Sequence, residues 1–299
     1  MAQALLTEPK TSLLRLDGQA LLRDLNARPC FVHHHLSDHP LLQLPRLLEL
    51  AKWLPEKNVR INSGAVPVDA PADEIPSTAQ TVEESFRTIE NSTTRIMLKG
   101  IEHHPKYRKL LHACLGEIEA LGHPCMKDIH SRVGYVFLSA PNMTTPYHMD
   151  PEINFLLQIR GRKTFFVLPE ADRAVLSEED IEDFYTGHHQ TLPFRREAKE
   201  RAIPFPMDPG DGVHIPVNNP HWVTTGNDVT ISFALTVETW ATKRRGTVCA
   251  VNRSLRHLGL KPTPYGRSPV RDSLKHRTYD LWRALKACLP GRKKAPPEH

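Results

Sequence analysis

No stretch of the 299 residues approaches the eighteen or so consecutive apolar side chains that a membrane-crossing helix needs. The segment Met1 to Leu16 carries Glu8, Lys10 and Arg15 and has no apolar h-region, so a cytoplasmic protein without a membrane partner is expected. Cysteine is scarce. Cys30, Cys114, Cys125, Cys249 and Cys288 are widely spaced, and no two form a CxxC pair. That leaves no sulfur-based zinc or dithiol motif, and reduced thiols are the expected state. An internal repeat is also lacking.

What is present begins with a 39% hydrophobic content, ample for a buried core, and 17 histidines, the residue most used by iron and zinc sites. The net charge of +5 hides an asymmetry: residues 241–299 hold 15 Lys and Arg against 3 Asp and Glu, leaving 24 against 31 before them. A solvated basic helix explains such a tail as well as an anionic partner does, and nucleic acid is not an expected partner.

The first 130 residues read as helices mixed with short strands. Leu41, Leu42, Leu44, Leu47, Leu48 and Leu50 follow a helical pattern ending near Trp53, and Thr81 with Glu84 forms a capping box before a second helix. A third is expected from Tyr107 to Leu121, stopped by Gly122 and Pro124. The loop from Val66 to Pro76 reads as a flexible connection. From Arg132 the texture changes to β-rich runs: Val133 to Leu138, Ile153 to Ile159, Thr164 to Leu168, Gly212 to Pro216 and Val229 to Val237. Ser177 to Arg201 is a charged interruption between them. Ser268 and Pro269 then open a helix whose apolar stripe holds Leu274, Thr278, Leu281, Trp282, Leu285, Cys288 and Leu289. So wide a stripe is expected to dock on the barrel or to form a homodimer interface. The fold class is therefore mainly β with flanking helices (α+β), a barrel or sandwich. Three segments are expected: a 1–130 helix and strand region packing on the barrel, a 131–240 core, and a 241–299 basic helical extension.

His148 and Asp150 sit two apart, so on an extended segment both side chains leave the same face and a metal can bridge them. The spacing is weak alone and needs a third ligand. The segment from Pro209 to Trp222 supplies His221 after a Pro-Gly-Asp turn and a short apolar strand, with His214 as the competing ligand. Two histidines and one carboxylate on one face of a metal form the facial triad of non-haem iron(II) oxygenases. His33, His34 and His35 are consecutive and cannot all face one metal; an exposed polar strand end is expected there. His188 and His189 read as a solvated loop.

Thr145-Pro146-Tyr147-His148-Met149-Asp150, Asn154, Gly161-Arg162-Lys163 and the Pro209-Gly210-Asp211 to His221 segment together resemble the motifs of JmjC-type, cupin-like 2-oxoglutarate oxygenases, and in particular the factor-inhibiting-HIF-type hydroxylases. The likeness covers about Val133 to Trp240. It implies a double-stranded β-helix holding Fe(II) through His148, Asp150 and His221. By the same resemblance, Lys163 binds the distal carboxylate of 2-oxoglutarate and Thr145 donates a hydroxyl hydrogen bond to it. A dicarboxylate buried beside iron needs such a fixed cation, because an unpaired buried carboxylate costs several kcal/mol; the bland alternative for Lys163 is a snorkelling surface lysine. Asn154 shares strand parity with Asp150 and can face the metal side, where it can hydrogen-bond the metal-bound carboxylate of 2-oxoglutarate; a turn-forming asparagine is the alternative. One departure is Ala234, where the family often places a second asparagine. Tyr135 and Phe137 share a strand face and can line the pocket, with core packing as the expected role.

The resemblance implies hydroxylation of a substrate C–H, in a protein or peptide side chain, with release of succinate and carbon dioxide. A small-molecule hydroxylase, an N-demethylase and a non-catalytic metal-binding cupin-like protein remain as alternatives.

Overall fold

The computed structural model describes residues 12–71, 75–187 and 192–288. Strands and helices are numbered in chain order. The larger of two antiparallel sheets runs, edge to edge, β1 (Leu14–Arg15), β2 (Cys30–His34), β10 (Asp211–Ile215), β7 (Ile153–Arg160), β12 (Thr230–Thr239), β5 (Ile129–Ser139), β4 (Thr94–Lys99) and β3 (Val59–Ser63). The smaller runs β6 (Thr144–His148), β11 (His221–Thr225), β8 (Lys163–Val167) and β9 (Ile203–Met207). The two face each other as the halves of a double-stranded β-helix. The amino-terminal region extends the large sheet at both edges, β1 and β2 at one and β3 and β4 at the other.

Side-chain alternation along each strand decides what each face meets. On β12, Ile231, Phe233, Leu235 and Val237 enter the main core, joined from β7 by Ile153, Phe155, Leu157 and Ile159. Helices α1 (Gly18–Asp24), α2 (Leu44–Trp53), α3 (Val82–Thr88) and α4 (Pro105–Glu119) contribute to that core through Leu21, Leu47, Phe86 and Leu111. The capping box expected at Thr81 and Glu84 is formed. Helix α4 starts two residues earlier than the periodicity suggests, because Pro105 suits the first helical turn. The opposite set on β7 and β12, Leu156 and Ala234, meets Phe165, Val167 and Val223 of the small sheet between the two sheets.

The outer face of the small sheet carries Trp222, which packs in a third cluster with Leu176, Ile181, Phe184 and Cys249. Part of the charged interruption is therefore structural: Ser177 caps α5 (Glu178–Phe184), which packs on α7 (Trp240–His257). A short α6 (Glu197–Arg201) follows; His188 and His189 lie outside the described residues. The 66–76 connection is likewise described only in part, residues 72–74 lying outside.

One expectation is corrected and one is narrowed. His34 is not an exposed strand end: it is 5% exposed, Nε2 lies 3.0 Å from Gln158 O and Nδ1 accepts from Leu36 N. Alternation on β2 turns it inward while His33 and His35 face outward. The last helix, α8 (Pro269–Cys288), does not dock its apolar stripe on the barrel. It packs on α7 with Asp272, Lys275 and Tyr279 partly or fully covered, and leaves Leu274, Leu281, Trp282 and Leu285 at least half exposed. Cys30, Cys114, Cys125 and Cys249 are free thiols, and no helix among the described residues is long and apolar enough to cross a membrane.

Candidate metal centre and its cavity

A cavity of about 590 Å³ opens between the sheets, and the inward residues of both line it. On β11, His221, Val223 and Thr225 point in; on β8, Lys163 and Phe165 do. Strand β6 needs an irregularity to match them. His221 pairs with His148, but Val223 pairs with Thr145, so two steps on β11 correspond to three on β6. This bulge resets the alternation, bringing Thr145 and His148 onto the cavity wall while Tyr147 packs with Phe194 and Trp222.

His148, Asp150 and His221 offer three ligand atoms that all lie within 4.8 Å of one another. His148 Nδ1 lies 2.7 Å from Pro146 O and His221 Nδ1 lies 3.0 Å from Asn219 O. With each Nδ1–H donated to a carbonyl, the ring orientation is fixed and both Nε2 lone pairs are free for a metal. His221 Nε2 is 3.7 Å from Asp150 Oδ2, and the two imidazole centroids are 4.2 Å apart. Burial, followed by the adjacent His148, pushes His221 down to about 4, which keeps it neutral as a metal ligand must be. Asp150 lies just past β6, its backbone carbonyl accepting from Asn218 N at 2.9 Å. Asn218 takes φ +60° there, and its side-chain amide lies 2.8 Å from Tyr185 Oη, tying the ligand loop to α5 and its C-terminal cap.

The alternative ligand His214 is excluded by its own contacts. It is fully buried on the other face of β10, its Nδ1 lies 3.0 Å from Asn154 O and its Nε2 accepts from Asn26 N at 2.8 Å. Asn154 does face the metal side, but it is engaged with the candidate ligand: Nδ2 donates to Asp150 Oδ2 at 3.0 Å, and Oδ1 is buried without a partner.

Lys163 opens β8 after a turn that only glycine fits. Gly161 has φ +68°, and a Cβ there would lie 2.5 Å from Val229 O. Buried Gln158 braces the same turn, donating to Arg160 O and Gly161 O. Lys163 is 6% exposed and lines the cavity, its amine making no hydrogen bond or ion pair among the described residues; burial pushes its ammonium down to about 7. The snorkelling alternative therefore fails.

Tyr135 and Phe137 stack at 5.9 Å and line the cavity while packing against the apolar layer between the sheets. Ala234 also lies on that wall. Sequence reasoning missed the wall beyond them, where Arg95, Met97 and Lys99 of β4 and Arg60 and Asn62 of β3 face the cavity. The alternation Thr94-Arg95-Ile96-Met97-Leu98-Lys99 was the available signal. Asn218 was also missed. Glu152, which also lines the cavity, is pushed well above the usual carboxylate range by burial and then by Asp150.

No curated protein matches the sequence. Among solved structures, an X-ray structure of Escherichia coli YcfD is 17% identical, covers 90% of this chain and 68% of its own, and has a TM-score of 0.53. A YcfD structure described as a ribosomal oxygenase in complex with cobalt and 2-oxoglutarate is 17% identical, covers 90% of this chain and 67% of its own, and has a TM-score of 0.47. The first of these likenesses carries the fold. The Cupin-like domain model matches residues 59–240, more than half of the chain and the whole of the cavity-lining region, and the chain belongs to that family.

Proposed function

We propose that the chain is an iron(II)- and 2-oxoglutarate-dependent oxygenase that hydroxylates a substrate C–H bond. The observation that carries this reading is the unpaired, buried Lys163 amine in the same cavity as the His148, Asp150 and His221 cluster. A metal alone explains the cluster but not a buried ammonium with nothing to neutralise it, whose cost is several kcal/mol. A dicarboxylate that meets the metal with one end and Lys163 with the other accounts for both.

The donor set fits iron(II): two imidazoles with free Nε2 atoms and one carboxylate leave room for a chelating co-substrate and oxygen. Bound there with 2-oxoglutarate and oxygen, iron supplies the oxidation of an unactivated C–H bond, with release of succinate and carbon dioxide. The chain's own residues position and exclude. Asn154 fixes Asp150, the carbonyls of Pro146 and Asn219 fix the imidazoles, and Lys163 with Thr145 anchors the co-substrate's distal carboxylate. The apolar layer of Phe165, Val223 and Ala234 keeps water from the reacting centre. No side chain is required as a general base.

A protein or peptide side chain is the substrate we favour, and the exposed stripe on α8 is the surface proposed to pair with a second copy of the chain. The test is stoichiometric: the iron-loaded protein should bind 2-oxoglutarate and release succinate under oxygen. Iron binding without uptake of 2-oxoglutarate would instead indicate a non-catalytic cupin-like protein.

A further inference from the structure

The cavity holds more positive charge than the co-substrate uses. On β4, Ile96 and Leu98 are buried in the main core, so Arg95, Met97 and Lys99 turn to the cavity. The register of β3 sets Arg60 opposite Met97 and Asn62 opposite Arg95. Arg95 Nη1 donates to Thr144 O at 2.6 Å, whereas Nη2 is buried with no hydrogen-bond partner. Among the described residues no carboxylate pairs with Arg60 or Arg95. Burial lowers the Arg95 pKa and no neighbouring acid offsets it. Lys99 differs: it lies 6.0 Å from the Tyr135 ring centroid, and Glu152 feels its charge.

If the oxygenase reading holds, the two carboxylates of 2-oxoglutarate are taken by the metal and by Lys163. Neither is left for Arg95 and Arg60. A guanidinium with one buried, unsatisfied nitrogen is costly unless a ligand completes it, and its planar fork matches a carboxylate. Within the large sheet β4 lies three positions from β7, which bears Asn154, while the Arg95 guanidinium reaches across to Thr144 on β6, next to Thr145. The loss or retention of 2-oxoglutarate affinity in a variant at Arg95 is therefore what separates the two anion sites. The stacked Tyr135 and Phe137 of β5 stand between the two, an apolar surface over which the body of a substrate can lie.

We propose that the substrate is anionic, presenting a carboxylate to Arg95 and Arg60 while a carbon elsewhere on the same molecule lies at the metal. This inference rests on the oxygenase reading and adds the substrate class to it. An acidic side chain of a peptide and a free organic acid offer the same chemistry, and the test separates them.

The protein is loaded with Mn(II), which does not turn over, and with 2-oxoglutarate. Two matched probe pairs are added: a nonapeptide pool with a central Glu against the same pool with Gln, and N-acetylglutamate against N-acetylglutamine. Paramagnetic broadening of probe resonances reads binding near the metal. The acid member of one pair should bind at least tenfold better than its amide; the pair that shows it identifies peptide or free acid. That preference should vanish in Arg95→Gln and fall severalfold in Arg60→Gln, a change at an exposed residue that the fold tolerates, while the dissociation constant for 2-oxoglutarate stays within twofold. Equal binding of acid and amide, no broadening in either pair, or a tenfold loss of 2-oxoglutarate affinity in Arg95→Gln would each overturn the proposal. Failure of the wild type to take up 2-oxoglutarate overturns the oxygenase reading instead, and the acid preference is then read on the Mn(II)-loaded protein alone.

Discussion

Asn154 holds Asp150 through a single 3.0 Å hydrogen bond from Nδ2 to Oδ2, linking the central strand of the large sheet to the carboxylate of the candidate metal centre. The same Oδ2 lies 3.7 Å from His221 Nε2, so the bond orients the carboxylate beside the imidazole. A hydrogen bond that orients a metal-binding carboxylate is worth about 10- to 100-fold in metal affinity. Asn154→Ala should therefore weaken iron(II) binding by about that factor without abolishing it. His148→Ala, Asp150→Ala and His221→Ala should each remove binding, whereas His214→Ala should keep most of it. Metal content after equilibrium dialysis checks the series, and full occupancy in His221→Ala would move the third ligand elsewhere.

Lys163 gives a pH prediction with a definite sign. Its ammonium is pushed from 10.5 down to about 7, so between these values the unfolded chain holds a proton that the folded chain lacks. Folding stability from this group rises with pH across that window, and below about pH 7 the cost of burying the charge is fully present. An arriving carboxylate restores the charged form. Binding of 2-oxoglutarate should take up a proton above pH 7, and affinity should fall as pH rises. Titration calorimetry at pH 8 in buffers of different ionisation heat reads that proton. Lys163→Met should lose the uptake, stabilise the apoprotein at pH 6 to 7, and weaken 2-oxoglutarate by roughly 3 to 5 kcal/mol, or two to four decades. Unchanged affinity would sink the anchoring role.

Much of this site was legible because its residues recur at short, readable spacings. His148 and Asp150 are two apart, Lys163 follows a glycine turn, and His221 follows a Pro-Gly-Asp turn and a short strand. What escaped depends on pairing between distant segments. The bulge that puts Thr145 and His148 on one wall exists only in the register of β6 against β11. The inward turn of Tyr135 and Phe137 depends on which face of β5 meets the cavity, and Arg95 reaches the site because β4 pairs with β5. His34 was misread because three consecutive histidines look polar, although strand alternation buries the middle one.

That buried His34, with His214, sets the response to acid. Burial pushes each down to about 4, and both are neutral in the fold. The unfolded chain protonates them near 6.5, so their contribution is fully present above about pH 6.5 and is lost as pH falls toward 4. The combined effect is on the order of several kcal/mol. Urea unfolding between pH 7 and 4.5 should show a steep loss of stability over this range. His34→Gln with His214→Gln should be less stable at pH 7 but flatter with pH, and an unchanged slope would assign the acid sensitivity to other groups.

The last prediction concerns the outer face of α8, where Leu274, Leu281, Trp282 and Leu285 are 63%, 61%, 50% and 60% exposed. Their spacing of seven, one and three keeps them on one side of the helix. Each of these side chains gains about 1.5 to 3 kcal/mol on full burial, and a continuous stripe is costly to leave in water. Packing on α7 occupies the other face, so nothing within the described residues covers the stripe. A second copy related by a two-fold axis would bury the same four residues twice, which is the economy of an isologous interface. Light scattering should report a dimer at micromolar concentration. Leu281→Glu with Leu285→Glu, two changes at exposed positions, should give a monomer with an unchanged melting profile in the monomeric limit. A wild type that stays monomeric to millimolar concentration, or a dimer indifferent to both substitutions, would rule out α8 as the contact.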